Sequence, residues 1–233
     1  MKEMERKLRY QKFIATLFIT LLLLGCASNG GSRIDNIPMY GQPEVERPDV
    51  LKVADEEFIK SASSGFGSRE EASKAWWSQG EKFMNEGNLD YAMRRYNQSW
   101  LLNPNNYQPY WGFARVMLEQ NNVDESIKYL EKAESLINDP YQKVALLADM
   151  GSAYSYKGME SPGYFEKANE KFAESIALDP TYPNSWRRWA FSLYDQGNFK
   201  GAWEKVEKAE SLNARPFPPK FISALEAKVP RPQ

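Results

Sequence analysis

The sequence has no histidine and only one cysteine, so histidine-based triads, thiol–imidazole pairs and the usual zinc ligand sets cannot be assembled from it. It also lacks Ser-x-x-Lys and G-x-S-x-G, which removes the common serine hydrolase arrangements that need no histidine or present the nucleophile on an elbow. No phosphate-cradling G-x-x-x-x-G-K or G-x-G-x-x-G occurs. An excess of either charge is missing too: 30 Lys and Arg balance 31 Asp and Glu, which leaves nothing to neutralise a nucleic-acid backbone. These absences favour a non-catalytic protein without cofactor or metal. What is present in quantity is apolar and aromatic surface, 42% and 14% of residues, ample for a packed core.

A long hydrophobic run is also absent. Lys2, Arg6, Lys7, Arg9 and Lys12 precede an apolar stretch from Phe13 to Leu24. That stretch is about twelve residues, where a membrane span needs about 20, so it reads as the core of a cleavable signal peptide. Leu23, Leu24, Gly25 and Cys26 close it. This tetrapeptide resembles the lipobox of bacterial lipoproteins, and the resemblance implies cleavage after residue 25 and acylation of Cys26. Multiple acyl chains, palmitate-type included, would anchor the protein without a span. Ala27 stands where an aspartate would signal inner-membrane retention, so the resemblance implies an outer-membrane anchor facing the periplasm. Removing residues 1–25 leaves 25 basic and 29 acidic residues, a net charge of about −4.

Residues 26–48 are rich in Gly, Ser, Asn and Pro and predict a flexible linker. Val50, Leu51, Val53, Ala54, Phe58 and Ile59 then form a helical stripe, giving a helix and loop over 49–68.

Beyond Ser68 the chain repeats. Trp76, Gly80, Phe83, Gly87, Ala92, Tyr96, Ser99 and Pro104 mark one unit. Tyr110, Ala114, Met117, Ser126, Leu130 and Ala133 mark the next, and Gly80 to Ala114 and Ala92 to Ser126 are both 34 apart. Leu147, Gly151, Tyr154, Gly158, Ala168, Phe172, Ser175 and Pro180 mark a third, and Trp186, Ala190, Leu193, Gly197, Ala202, Val206 and Ala209 a fourth. Gly151 to Ala168 is 17 against 12 for Gly80 to Ala92, an insertion of five residues near Met159 to Gly163. Ala114 to Gly151 is 37, so three more residues are added before the third unit. The pattern resembles the tetratricopeptide repeat (TPR) over residues 69–216, with units of about 73–106, 107–140, 144–182 and 183–216. The resemblance implies an all-α, right-handed α-solenoid of helix hairpins. A short helix with Phe221, Ile222, Leu225 and Val229 follows in 217–233 and reads as a polar-faced cap.

In this family the first helix of each unit, helix A, lines a concave groove. Helical phase places Trp77, Glu81 and Met84 in that groove from unit one, and Trp111, Arg115 and Leu118 from unit two. Ala148, Ser152 and Ser155 follow from unit three, then Arg187, Phe191 and Tyr194 from unit four. Aromatic and arginine side chains are frequent anchors of protein interfaces, so the groove predicts capture of an extended or helical segment of an envelope protein. Family members that clamp a C-terminal carboxylate use Lys and Asn where Trp77 and Glu81 stand, so that mode is not expected. Three alternatives stay open from sequence: the groove is filled by the helix at residues 50–62, its tryptophans stack glycans such as peptidoglycan in a glycan-binding or peptidoglycan-processing module, or the repeats self-associate into an oligomer. Architecturally the chain resembles outer-membrane repeat lipoproteins such as pilus pilotins, adaptors for cell-wall hydrolases and a β-barrel assembly accessory.

Overall fold

The computed structural model describes residues 33 to 232, and from Asp35 onward they form one compact unit. The signal-peptide and lipobox readings, Cys26 included, fall outside the described residues. Within them the chain has ten α-helices and no strand. A first helix, α1 (Asp49–Phe66), precedes four hairpins: α2 (Arg69–Asn85) with α3 (Leu89–Leu102), α4 (Tyr107–Glu119) with α5 (Val123–Leu136), α6 (Pro140–Glu160) with α7 (Tyr164–Leu178), and α8 (Pro183–Asp195) with α9 (Phe199–Ser211). The last helix is α10 (Pro219–Glu226). No described helix is long and apolar enough to cross a membrane.

Local sequence starts and stops these helices. The Ser68 hydroxyl accepts from the Glu71 amide at 3.1 Å, and Asp139 accepts from the Tyr141 and Gln142 amides ahead of a first-turn Pro140. Three hairpins turn on a left-handed residue followed by an asparagine cap: Gly87–Asn88, Asn121–Asn122 and Gly197–Asn198. The third hairpin lacks this turn and uses Ser161-Pro162-Gly163 instead.

Close approach of helix backbones explains the small residues of the repeat. The Tyr96 ring lies so near Gly80 and Gly112 that a Cβ at either would come within 2.4 and 2.6 Å of it, and Gly151 has the same relation to Phe172 at 2.7 Å. Ala92, Ala168 and Ala202 are fully buried on the facing helices. Around them Tyr96, Phe113, Leu146, Leu147, Phe172 and Trp203 fill the seams, each wholly or almost wholly removed from water. Burial of one such side chain favours folding by roughly 1.5–3 kcal/mol.

The stack is not uniform. α2 lies against α4 and α6 against α8, but α4 and α6 stand apart, with α5 packed against both. The third unit also differs in length. α6 spans 21 residues against 13 for α4 and α8, so the insertions lengthen it by about one turn at each end and do not form a loop.

The linker expected up to Pro48 requires correction, because from Asp35 the chain docks on α3. Asn97, fully buried, donates through Nδ2 to the carbonyls of Asp35 and Ile37, and its Oδ1 accepts from the Tyr40 amide. Tyr40 is buried beneath the Arg47 guanidinium, 3.9 Å from its ring centroid, and Arg47 grips Asp55 on α1 with two hydrogen bonds of 2.5 and 2.6 Å. Proline and glycine here shape a fitted strap, with Met39, Tyr40 and Gly41 all in the left-handed region. Composition alone does not distinguish a docked irregular segment from a free one.

Candidate functional site

α1 goes to the end of the stack, on α2 and α3, where Phe58 meets Trp76 with ring centroids 5.5 Å apart. It therefore leaves open the side lined by α4, α6 and α8, where a cavity of about 580 Å³ occupies the gap between α4 and α6. Met84 of α2 reaches it, α4 contributes Ala114, Arg115, Leu118 and Glu119, and α5 supplies Ser126 and Leu130 from behind. α6 adds Asp149, Ser152, Ser155 and Tyr156, and α8 adds Arg187, Arg188, Phe191, Ser192 and Asp195.

Ion pairs between successive A helices brace the walls. Arg115 pairs with Glu81, whose other oxygen accepts from the Tyr96 hydroxyl at 2.6 Å; burial and this carboxylate push the Tyr96 hydroxyl far above its ordinary value. Arg188 pairs with Asp149, which also accepts from the Trp111 indole at 2.7 Å and so bridges α4 to α6 across the gap. Burial, aided by Arg115, lowers the Arg188 guanidinium to about 10, where it remains charged at neutral pH. Arg187 donates through Nε to the Arg215 carbonyl at 3.1 Å and stacks over Phe191 and Phe217.

Of the predicted groove residues, the structure brings Met84, Arg115, Leu118, Ser152, Ser155, Arg187 and Phe191 to the cavity. The other five are placed elsewhere. Trp111 is only 9% exposed and spends its indole on Asp149; Trp77, partly buried, packs against the core, and Glu81 is held by Arg115 and Tyr96. Tyr194 is covered by Phe199 and Phe221, since α10 packs over the end of the fourth unit. Two that do reach the cavity are less available than phase suggested: Ser155 is buried and donates to Ser192 at 2.6 Å, and Phe191 is shielded on one side by Phe217 and Phe221. Ala148 is fully buried.

Helical phase missed Asp149, Arg188, Glu119, Tyr156 and Asp195, which lie one position further round each A helix, and Ser126 and Leu130, which no rule about A helices can find.

No family model matches the sequence. Among solved structures the chain is similar to one in the Cut9–Hcn1 hetero-tetramer of the APC/C, at 16% identity over 78% of this chain and 32% of that one, with a TM-score of 0.53. It is also similar to PilF of Pseudomonas aeruginosa, at 16% identity over 71% of this chain and 79% of that one, with a TM-score of 0.50. YrrB, described as a TPR protein with an unusual peptide-binding site, matches at 16% identity over 77% and 87% of the two chains, with a TM-score of 0.49. The fold is a TPR solenoid. Identity this low carries the fold alone.

Within the TPR frame the cavity offers apolar walls (Met84, Leu118, Leu130, Phe191), braced arginines and a row of hydroxyls. A volume of this size suits the side chains of a bound segment. The glycan-stacking arrangement is not formed at Trp77, whose indole is partly buried against the core and whose neighbour Glu81 is already paired with Arg115.

Proposed function

We propose that this protein is a lipid-anchored, non-catalytic adaptor of the bacterial envelope that holds a segment of another protein in the cavity between α4 and α6. The observation that carries the reading is the cavity itself. A TPR stack normally closes each A helix on the next, whereas here α4 and α6 stand apart and open about 580 Å³ lined by apolar side chains, hydroxyls and arginines. Anchoring through Cys26 and an outer-membrane, periplasm-facing location rest on the lipobox resemblance and belong to the same proposal.

A photoreactive residue placed at Leu118 in living cells tests it, beside the same residue at Tyr141, which is 87% exposed at the start of α6 and outside the cavity. A discrete crosslinked partner from Leu118 and none from Tyr141 is expected; equal or no adducts from both would reject the cavity as a binding site. Cys26→Ser should abolish palmitate labelling and membrane retention, and labelling that persists rejects the anchor.

A further inference from the structure

We propose that the segment held in the cavity presents an aspartate or glutamate side chain to Arg187 of α8, with Arg188 beside it as a second cation. This deepens the groove-binding reading and rests on it.

The first observation is how Arg187 is held. Its Nε donates to the Arg215 carbonyl at 3.1 Å, and its guanidinium lies 4.9 Å from the Phe191 ring centroid and 5.5 Å from that of Phe217. These contacts fix the plane of the group while using one of the five N–H donors that a guanidinium carries. Its two Nη groups have no partner among the described residues, and the residue lines the cavity. A guanidinium placed in advance with its fork unspent suits a carboxylate, which it can grip with two parallel hydrogen bonds. No carboxylate of the described chain takes that place: neither Arg187 nor the adjacent Arg215 makes an ion pair. Partial burial and the nearby Arg215 lower the Arg187 guanidinium below its ordinary value, as expected of a cation without an anion.

The second observation is the balance of charge on this side of the cavity. Arg115, Arg187 and Arg188 line it and Arg215 adjoins Arg187, whereas only two carboxylates meet them, Glu81 at Arg115 and Asp149 at Arg188. Asp149 is moreover shared with the Trp111 indole. Four guanidinium groups against two carboxylates leave two positive charges unmatched. The other acids of the cavity, Glu119 and Asp195, do not supply the balance. Both are exposed at the C-terminal ends of α4 and α8, where water solvates them, and Asp195 stands seven residues beyond Arg188, about 10 Å along the helix. The arginines of α8 are partly buried and have lost water that these carboxylates keep, so the group missing from the α8 wall is an anion. Met84, Leu118 and Phe191 give the remainder of a peptide segment apolar surface beside it.

The test selects a random dodecapeptide library against the full chain in detergent. Peptides whose binding is lost in Leu118→Arg should be enriched in aspartate or glutamate over the input library. The tightest of them is then compared with its own Glu→Gln or Asp→Asn version by fluorescence anisotropy. The substitution should weaken binding to the native chain by about tenfold or more, and the loss should shrink with added salt. It should also vanish against Arg187→Gln, the coupling of a double-mutant cycle. The first comparison changes the peptide alone, so it holds whatever Arg187→Gln does to the fold. Selected peptides that depend on Leu118 but carry no excess of acid, or whose acid is worth as much against Arg187→Gln as against the native chain, overturn the acidic specificity and leave the groove standing. If no selected peptide depends on Leu118, both fall. Oligogalacturonate bound through Arg187 where no peptide binds would assign the arginines to an anionic glycan and likewise overturn the proposal.

Discussion

Gly112 offers the sharpest test of how the units are held together. A methyl group there would lie 2.6–2.7 Å from three atoms of the Tyr96 ring, well inside van der Waals contact. The ring cannot retreat, because it is fully buried, faces Gly80 with equal tightness, is met edge-on by Phe113 and is tied through its hydroxyl to Glu81. Overpacking of this kind costs about 1–3 kcal/mol, and the constraints put this site at the upper end. Replacing a helical glycine by alanine returns about 1 kcal/mol of propensity. The net loss for Gly112→Ala is therefore about 2 kcal/mol, a fall of roughly 4–8 °C in the thermal midpoint of a chain this long. Gly163→Ala is the control: its backbone is helical (φ −60°, ψ −19°), nothing lies near the added methyl, and the change should stabilise by about 0.4–1 kcal/mol. Urea unfolding followed by circular dichroism measures both. A Gly112→Ala protein as stable as the parent would refute the idea that backbone approach around Tyr96 sets the packing of the first two units.

Asp149→Ala should destabilise by about 1–3 kcal/mol in the same assay, through the orphaned Trp111 indole and the lost pairing of Arg188. Asp149→Asn, which keeps an acceptor for the indole, should cost less than half as much; equal losses would show that the ion pair and not the indole bond dominates. Arg47→Ala removes both the grip on Asp55 and the cover over Tyr40, so limited proteolysis between residues 35 and 47 should accelerate by about tenfold, while an unchanged rate would mean that the strap is held by Asn97 alone. Alkaline titration should find Tyr40 and Tyr129 un-ionised until about 12, with Tyr96 and Tyr154 higher still, all chiefly because burial disfavours the phenolate. These folded-state values lie above the unfolded value of about 10. The stability they contribute is thus complete below about pH 10 and is lost as pH rises through 12. Tyrosinate absorbance that reaches the full value for all 13 tyrosines by about pH 11 in the native protein would contradict the burial of these rings.

Residue spacing alone determined the fold of residues 69–216, and the reason is local. A repeat whose small, aromatic and turn positions recur at a fixed period needs only neighbouring units to bury its faces, so Gly80, Ala92 and Tyr96 announce their packing within one unit and Ser68, Asp139 and Asn88 announce the helix starts. Seven of the twelve residues that phase assigned to the groove line the cavity. The remainder depended on contacts between units and on breaks in the period. That residues 35–47 dock at all rests on Asn97, Arg47 and Asp55 meeting from separate segments, which a Gly- and Pro-rich composition does not foretell. Whether Tyr194 faces the groove was settled by α10 packing over it, and whether Trp111 does was settled by Asp149 on the next unit. The cavity itself lies between α4 and an α6 that the insertions lengthened. Spacing can count the added residues, but only the tertiary arrangement decides whether they form a loop or extend a helix, and so which side chains come to face one another across the gap.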